Sequence, residues 1–321
     1  MYCPPDTNQK SHPSQQNHLA VKEKSLFSRL YLYTKERFPL AQYGLITSLF
    51  ALSGLSLSSA LRTGHAQFTL AQYAVAALTT FILFYQLRVA DEFKDHVDDC
   101  RYAPERPVPR GLVSLRELGS SACLLGLLQL ALTTAIKPGL WPYLFAIWIY
   151  FALMSKEFFI GSWLRQHPIS YMLSHMFILV FSDLFITAVD FVGSNKGPAL
   201  LLLFFLTGSF FNGMVIEFGR KIKAPECERE GLESYSRALG LKPAVLALTA
   251  SMIAAQACLT LALPHSHNFA ALIFSAIDCF ALVVFHKFMT NPNQSNQKRL
   301  DAMSGLLVAA SYLIVSLISW M

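Results

Sequence analysis

Runs of apolar residues long enough to cross a bilayer recur from one end of this chain to the other, and they limit the folds open to it. Nine can be marked, over about residues 39–60, 69–88, 114–136, 140–159, 168–190, 198–218, 241–263, 268–288 and 303–321. Each lies near or above the roughly 18–20 residues a helix needs to span the hydrocarbon core. Inside a bilayer every backbone N–H and C=O has to be satisfied internally, so a spanning segment is a helix or a strand of a closed barrel. The length of these runs and their lack of strict alternation select helices. The expected fold is all-α, a single multi-pass membrane domain of nine transmembrane helices. With 54% apolar and 14% charged residues, little of the chain is left for a separate soluble domain.

The charges sort by side. With the N-terminus placed in the cytoplasm, all but three of the 26 lysines and arginines fall on the cytoplasmic side, the exceptions being Arg62, Lys137 and Lys196. The positive-inside rule then predicts an N-in, C-out topology. One missed helix would scramble this asymmetry, so it also supports the span count. The net charge of +6 follows from those loops, which can also meet anionic headgroups, and no nucleic-acid partner is expected. Residues 1–20 are polar and rich in Pro, Gln, Asn and Ser, and residues 1–30 are expected to form a disordered cytoplasmic tail ahead of the membrane domain over 31–321. The tail lacks the apolar core of a secretory signal. Cys3, Cys100, Cys123, Cys227, Cys258 and Cys279 show no metal-binding spacing and are expected to be reduced.

At the end of the second run stands Asp91-Glu92-Phe93-Lys94-Asp95-His96-Val97-Asp98-Asp99, followed by Arg106-Pro107-Val108-Pro109-Arg110-Gly111. Asp91, Asp95 and Asp99 are spaced i, i+4 and i+8, which on a helix sets them along one face. Three carboxylates this close repel one another unless a cation sits between them. Hard oxygen donors of this kind suit Mg²⁺, which takes one or two carboxylates and completes its shell with water and substrate phosphates. The cluster reads as a phosphate-handling metal site at a membrane interface. A second charged loop, from Glu217 to Lys242, carries Arg220, Lys221 and Lys223, then Glu226 and Glu230 one turn apart. A diphosphate held between two acidic sites needs bridging metal ions, and Lys or Arg for its remaining charge. The alternative is a set of solvated loop charges paired with each other. Four spans separate the two loops, the spacing of a duplicated four-helix unit, although the halves are only slightly similar.

On these residues the chain resembles the UbiA superfamily of intramembrane prenyltransferases. The family's first motif has the form NDxxDxxxD; Asp91 takes the place of its Asn, Glu92 that of the adjoining Asp, and Asp95 and Asp99 match the rest. Arg106, Pro107 and Gly111 match a downstream RPxxxG element, and Lys156 matches a family lysine whose usual Arg neighbour is Glu157 here. The second motif, DxxxDxxxG, departs: counting back from Gly231 puts Cys227 and Lys223 at the acidic positions, and only a one-residue shift yields Glu226 and Glu230.

The resemblance implies a nine-helix bundle with cytoplasmic cap loops and an enzyme that works on an allylic isoprenyl diphosphate with Mg²⁺ as cofactor. It implies metal ligands among Asp91, Glu92, Asp95, Asp99, Glu226 and Glu230. Diphosphate contacts would come from Arg88, Arg106, Arg110, Arg220, Lys221 and Lys223, and Lys156 would join the three aspartates in catalysis. The C–O bond ionises, and the allyl cation is captured by an aromatic or other lipophilic acceptor. In a membrane terpene cyclase of the same superfamily the donor's own double bond captures it instead. Aromatic rings among the spans could stabilise the cation, although Phe is also ordinary helix packing. A transporter binds near the midplane on broken helices, whereas the acids here gather at one interface.

Charges at membrane depth are rare and tend to be functional, so Asp183, Asp190 and Asp278 stand out inside or at the ends of spans. Asp183 reads either as a group that orients an acceptor or as a hydrogen-bonded packing residue. His175 reads as a base or as a structural histidine, Asn212 as a polar contact or as helix–helix packing, and His265 and His267 fall on the side away from the acidic cluster.

Overall fold

The computed structural model describes residues 25–229, 233–263 and 266–321. Residues 1–24 of the expected tail, Glu230 and His265 lie outside the described residues. Thirteen α-helices follow in order: α1 (Leu26–Arg37), α2 (Leu40–Thr63), α3 (Leu70–Lys94), α4 (His96–Tyr102), α5 (Leu115–Ile136), α6 (Trp141–Ser155), α7 (Gly161–Gln166), α8 (Pro168–Phe191), α9 (Leu202–Lys221), α10 (Tyr235–Leu239), α11 (Leu241–Leu261), α12 (His267–Thr290) and α13 (Gln294–Trp320). Among the described residues there is no strand. Among the described residues nine helices are long and apolar enough to cross a membrane: α2, α3, α5, α6 with its lead-in turn from Pro138, α8, α9, α11, α12 and α13. This is the architecture of an integral multi-pass membrane protein.

The boundaries differ most where polar residues are helical. α13 begins at Gln294, not near 303, because Asn293 caps it, its side chain accepting from the Asn296 N–H at 2.9 Å. Hydropathy cannot see two polar turns. For the same reason α3 runs on through the acidic motif to Lys94. Residues 26–30, expected in the tail, open α1 behind the Ser25 cap. Cys100 is disulfide-bonded, which corrects the expectation of a reduced thiol there, while Cys123, Cys227, Cys258 and Cys279 are free.

Two compact units make up the chain, and their boundaries fall inside α2, α3 and α5. The first comprises residues 1–45 and 81–131, the second residues 46–80 and 132–321. In the first, Tyr33 and Phe38 at the end of α1 join Tyr85, Val89, Val108, Leu112, Val113 and Leu118 in one buried core. Phe38 stacks on Tyr43 at 4.1 Å between ring centroids and meets Phe81 and Tyr85 edge-on, an arrangement that aromatic quadrupoles favour.

In the second unit α9 packs against α8, α11 and α13, and α12 lies against α11 and α13. Gly208 permits the α9–α11 approach, because a Cβ there would stand 2.9 Å from Leu259. The three cations that break the charge bias meet at the C-terminal end of α8. Lys137 donates to the carbonyls of Val189 at 3.1 Å and Val192 at 2.9 Å. Arg62 forks onto Asp190 at 2.7 and 3.1 Å, with Ser58 donating to the same carboxylate at 2.9 Å, and Lys196 reaches the Arg62 carbonyl at 3.3 Å. Helix C-termini leave carbonyls without intrahelical partners and concentrate negative partial charge, so these cations have a structural use. Asp190 is thereby accounted for as an ion-pair residue.

Candidate functional site

The acidic ladder lies in the first unit. α3 ends at Lys94 and α4 starts at His96, but the turn between them is not lost. Asp95 N–H bonds to the Asp91 carbonyl and Asp99 N–H to the Asp95 carbonyl, each at 2.8 Å. The one-turn rise therefore continues through the break and keeps the three aspartates in register. Asp91 is about half exposed at 47%, with Arg88 3.5 Å from its carboxylate. Burial pushes the Asp95 carboxyl above the ordinary carboxylate range; Lys94 and Arg88 oppose this, and the charges of Asp91 and Asp99 add to it. Asp99 is buried and paired with Arg106.

The Arg106–Gly111 segment sets that pair. Arg106 N–H bonds to Ala103, Arg110 N–H to Arg106 and Gly111 N–H to Val108, each at 3.0 Å, and Leu112 N–H bonds to Pro107 at 2.9 Å. Gly111 sits at φ +78°, a left-handed conformation that glycine adopts without a Cβ clash. Pro107 and Gly111 thus close a compact turn that returns the Arg106 guanidinium to α4.

Several expected site residues have other partners. Glu92 is 1% exposed, and its carboxylate takes the Arg37 and Arg88 guanidiniums at 2.8 Å each, with the Tyr33 hydroxyl at 3.5 Å. Burial and the Glu92 charge push the Tyr33 phenol up. Both guanidiniums bind Oε1, while Oε2 is buried without a hydrogen-bond partner, and two positive charges already compete with any cation for this carboxylate. Arg88 is spent largely on Glu92. Arg110 forks onto Glu36 at 2.6 and 2.9 Å and donates to the Glu105 carbonyl at 2.8 Å. Arg29 forks onto Glu117 at 2.5 and 3.1 Å, and the Glu117 carboxylate holds its guanidinium above the usual range.

The donor set fits a divalent cation, in a smaller version than expected. Among the described residues no three His, Cys, Asp or Glu side chains converge as a metal cage. Asp91 and Asp95 remain: two hard carboxylates one turn apart, the second disfavoured as a charge by burial. Mg²⁺ commonly takes that number of protein ligands.

The second loop lies in the second unit. At the end of α9, Glu217 is buried and binds Arg220 at 2.7 Å and Lys221 at 2.8 Å. The Lys223 ammonium donates to the Arg220 carbonyl at 2.7 Å. Glu226, expected on a metal, accepts the Gln294 N–H at 2.6 Å and so holds the start of α13. Glu228 accepts from Ser234 and Ser236 at 2.7–2.9 Å, with Arg237 at 3.6 Å. A cleft of about 310 Å³ opens beside this loop, lined by Arg165, Tyr171, Lys221, Glu233, Tyr235 and Arg237. Burial first, then Glu217 and Glu233, push the Tyr235 phenol up.

Lys156, at the end of α6, is exposed. The next three residues, Glu157, Phe158 and Phe159, all have left-handed backbone, with φ of +48°, +53° and +60°. Such a turn costs non-glycine residues roughly 1–2 kcal/mol each. It places the Glu157 carboxylate against Gly161, where no Cβ would fit. Asp183 is fully buried beside Ser209, whose hydroxyl meets that of Tyr312 at 2.6 Å. His175 stacks on Tyr171 at 3.9 Å. Asp278 is partly buried on α12. Glu217, Glu228 and the partners on α1 are not among the residues to which the sequence motifs point. Glu217 could have been found from its i+3 and i+4 spacing to Arg220 and Lys221.

No protein-family model matches the chain, and no curated protein does. Solved structures match over nearly its whole length. A UbiA homolog from Aeropyrum pernix K1 is 16% identical at a TM-score of 0.63, covering 84% of this chain and 97% of its own. A digeranylgeranylglyceryl phosphate synthase is 14% identical at 0.59, covering 90% and 99%. A UbiA homolog from Archaeoglobus fulgidus bound to GPP and Mg²⁺ is 13% identical at 0.55, covering 88% and 99%. The chain has the UbiA fold.

Proposed function

We propose that this chain is an intramembrane prenyltransferase that moves an isoprenyl group from an allylic isoprenyl diphosphate to an aromatic or other lipophilic acceptor. The carrying observation is the Asp91–Asp95 pair at the end of the second of nine spans, with Arg106 fixing Asp99 one turn on. The fold supports the reading, since one solved neighbour is bound to GPP and Mg²⁺.

Asp91 and Asp95 would hold the metal. When bound, Mg²⁺ neutralises diphosphate oxygens and makes diphosphate a better leaving group. Arg106 keeps the Asp99 carboxylate fixed and neutralised, so that the ladder presents two acceptors rather than three mutually repelling charges. Roles for Lys156, Arg220, Lys221 and Lys223 at the diphosphate rest on the family resemblance. Such cations would stabilise the negative charge that develops as the C–O bond breaks. The bonding pair leaves with diphosphate, the allylic carbon becomes the cation, the acceptor's π electrons form the new bond, and the ring proton is lost. The charge bias supports an N-in, C-out topology with the ladder facing the cytoplasm.

A terpene cyclase is the second reading, favoured by the altered second loop, where Glu226 is occupied at the start of α13. Purified protein given farnesyl or geranylgeranyl diphosphate with Mg²⁺, with and without an aromatic acceptor, separates the two. A product formed only with acceptor supports the transferase. A hydrocarbon or alcohol from the diphosphate alone supports the cyclase, and no Mg²⁺-dependent diphosphate release overturns both.

A further inference from the structure

Helix α1 is amphipathic in the inverted sense. Its inward face carries Arg29, Tyr33 and Arg37, spaced i, i+4 and i+8: Arg29 on Glu117, Tyr33 fully buried, and Arg37 on Glu92. Its outward face carries Phe27, Tyr31 and Lys35 at the same spacing, with Phe27 82% and Tyr31 56% exposed. A helix normally turns its aromatic side inward and its guanidiniums to water. Here Arg29 and Arg37 are paired inside on either side of Tyr33, and the rings of Phe27 and Tyr31 are left outside.

The partners fix the helix's level in the membrane. Glu92 is in the last turn of α3 and Glu117 in the first turn of α5, and the loop 95–114 joins these two span ends. α1 is tied to both, so it lies at the level where these spans leave the hydrocarbon. Phe and Tyr rings with a nearby lysine are the residues that settle at the boundary of acyl chains and headgroups. A shallow groove lined by Phe27, Ser28, Tyr31 and Leu32 runs along the same face.

We propose that α1 is an interfacial helix whose Phe27–Tyr31 face is seated in the bilayer's acyl–headgroup boundary, with Lys35 on the headgroups. The full-length chain carrying Phe27→Trp, and separately Tyr31→Trp, would be placed in phosphatidylcholine vesicles with or without brominated acyl chains. Emission would be compared with that of the parent protein. The expected result is that brominated lipid removes most of the added emission and aqueous iodide removes little. Quenching by iodide and not by bromolipid in both variants would put the face in water and overturn the proposal. Quenching by neither would show a protein cover, assigned to residues 1–24 if their deletion restores quenching and to a second copy if dilution does. Either would also overturn it.

Discussion

Asp95 sits in the ladder with a carboxylate one turn to either side, and burial already disfavours its charge. Because its folded-state value is raised, the folded chain binds this proton more tightly than the unfolded chain does. The folded state is then penalised as pH rises through the window between the ordinary value and the raised one. Asp95→Asn should therefore raise the thermal midpoint at neutral pH without Mg²⁺, and abolish the gain in midpoint that Mg²⁺ gives the parent by binding the folded state. A variant less stable than the parent, and still stabilised by Mg²⁺, would contradict this. Glu92, three residues earlier, predicts the opposite pattern. Glu92→Gln leaves two guanidiniums facing a neutral amide, and breaking a buried pair of this kind costs roughly 3–5 kcal/mol. Its thermal midpoint should fall while the Mg²⁺-dependent gain persists. Spacing alone made Asp91, Asp95 and Asp99 visible in the sequence. It could not separate Glu92 from them, because Arg37 lies 55 residues away.

Among the helices, those with continuous apolar runs were legible and α1 was not. Hydrophobic periodicity finds a helix by its buried apolar face, whereas α1 sets partly buried Arg29 and Arg37 beside Tyr33 on its inward face and exposes Phe27 and Tyr31. The Arg29 partner, Glu117, is 88 residues distant. Local signals were present nonetheless, in the Ser25 cap and in the Lys35 and Arg37 of the last turn. α8 shows the complementary case, where Arg62, Lys137 and Lys196 look like exceptions to a charge rule until the helix end they serve is seen. Lys137→Met should free the Val192 carbonyl and leave that of Val189 to the Gln72 amide, at a cost of about 0.3–1 kcal/mol. Hydrogen exchange over residues 188–194 should quicken several-fold, with the ladder on α3 and α4 unaffected. Unchanged exchange there would remove the capping role.

For the molecule as a whole, the span count follows from run length, and the placement of lysine and arginine supports the proposed N-in, C-out topology. Reporters fused to the two ends should then face opposite sides, the N-terminal one protected in right-side-out vesicles and the C-terminal one open to protease. Two ends on the same side would overturn the odd number of crossings. The chemistry was legible only where the sequence concentrates it. The ladder and the Arg106–Gly111 turn could be read, but the second loop's pairings depend on residues brought in by folding, such as Gln294 against Glu226. The most direct test of the central claim is diphosphate release from geranylgeranyl diphosphate by the purified parent and Asp95→Asn proteins, across a Mg²⁺ titration with an EDTA control. The account predicts Mg²⁺-dependent release by the parent, abolished by EDTA, and a loss of at least about 100-fold in the variant, the upper range for disturbing a metal site. Equal release by both proteins, or release indifferent to Mg²⁺, would contradict it.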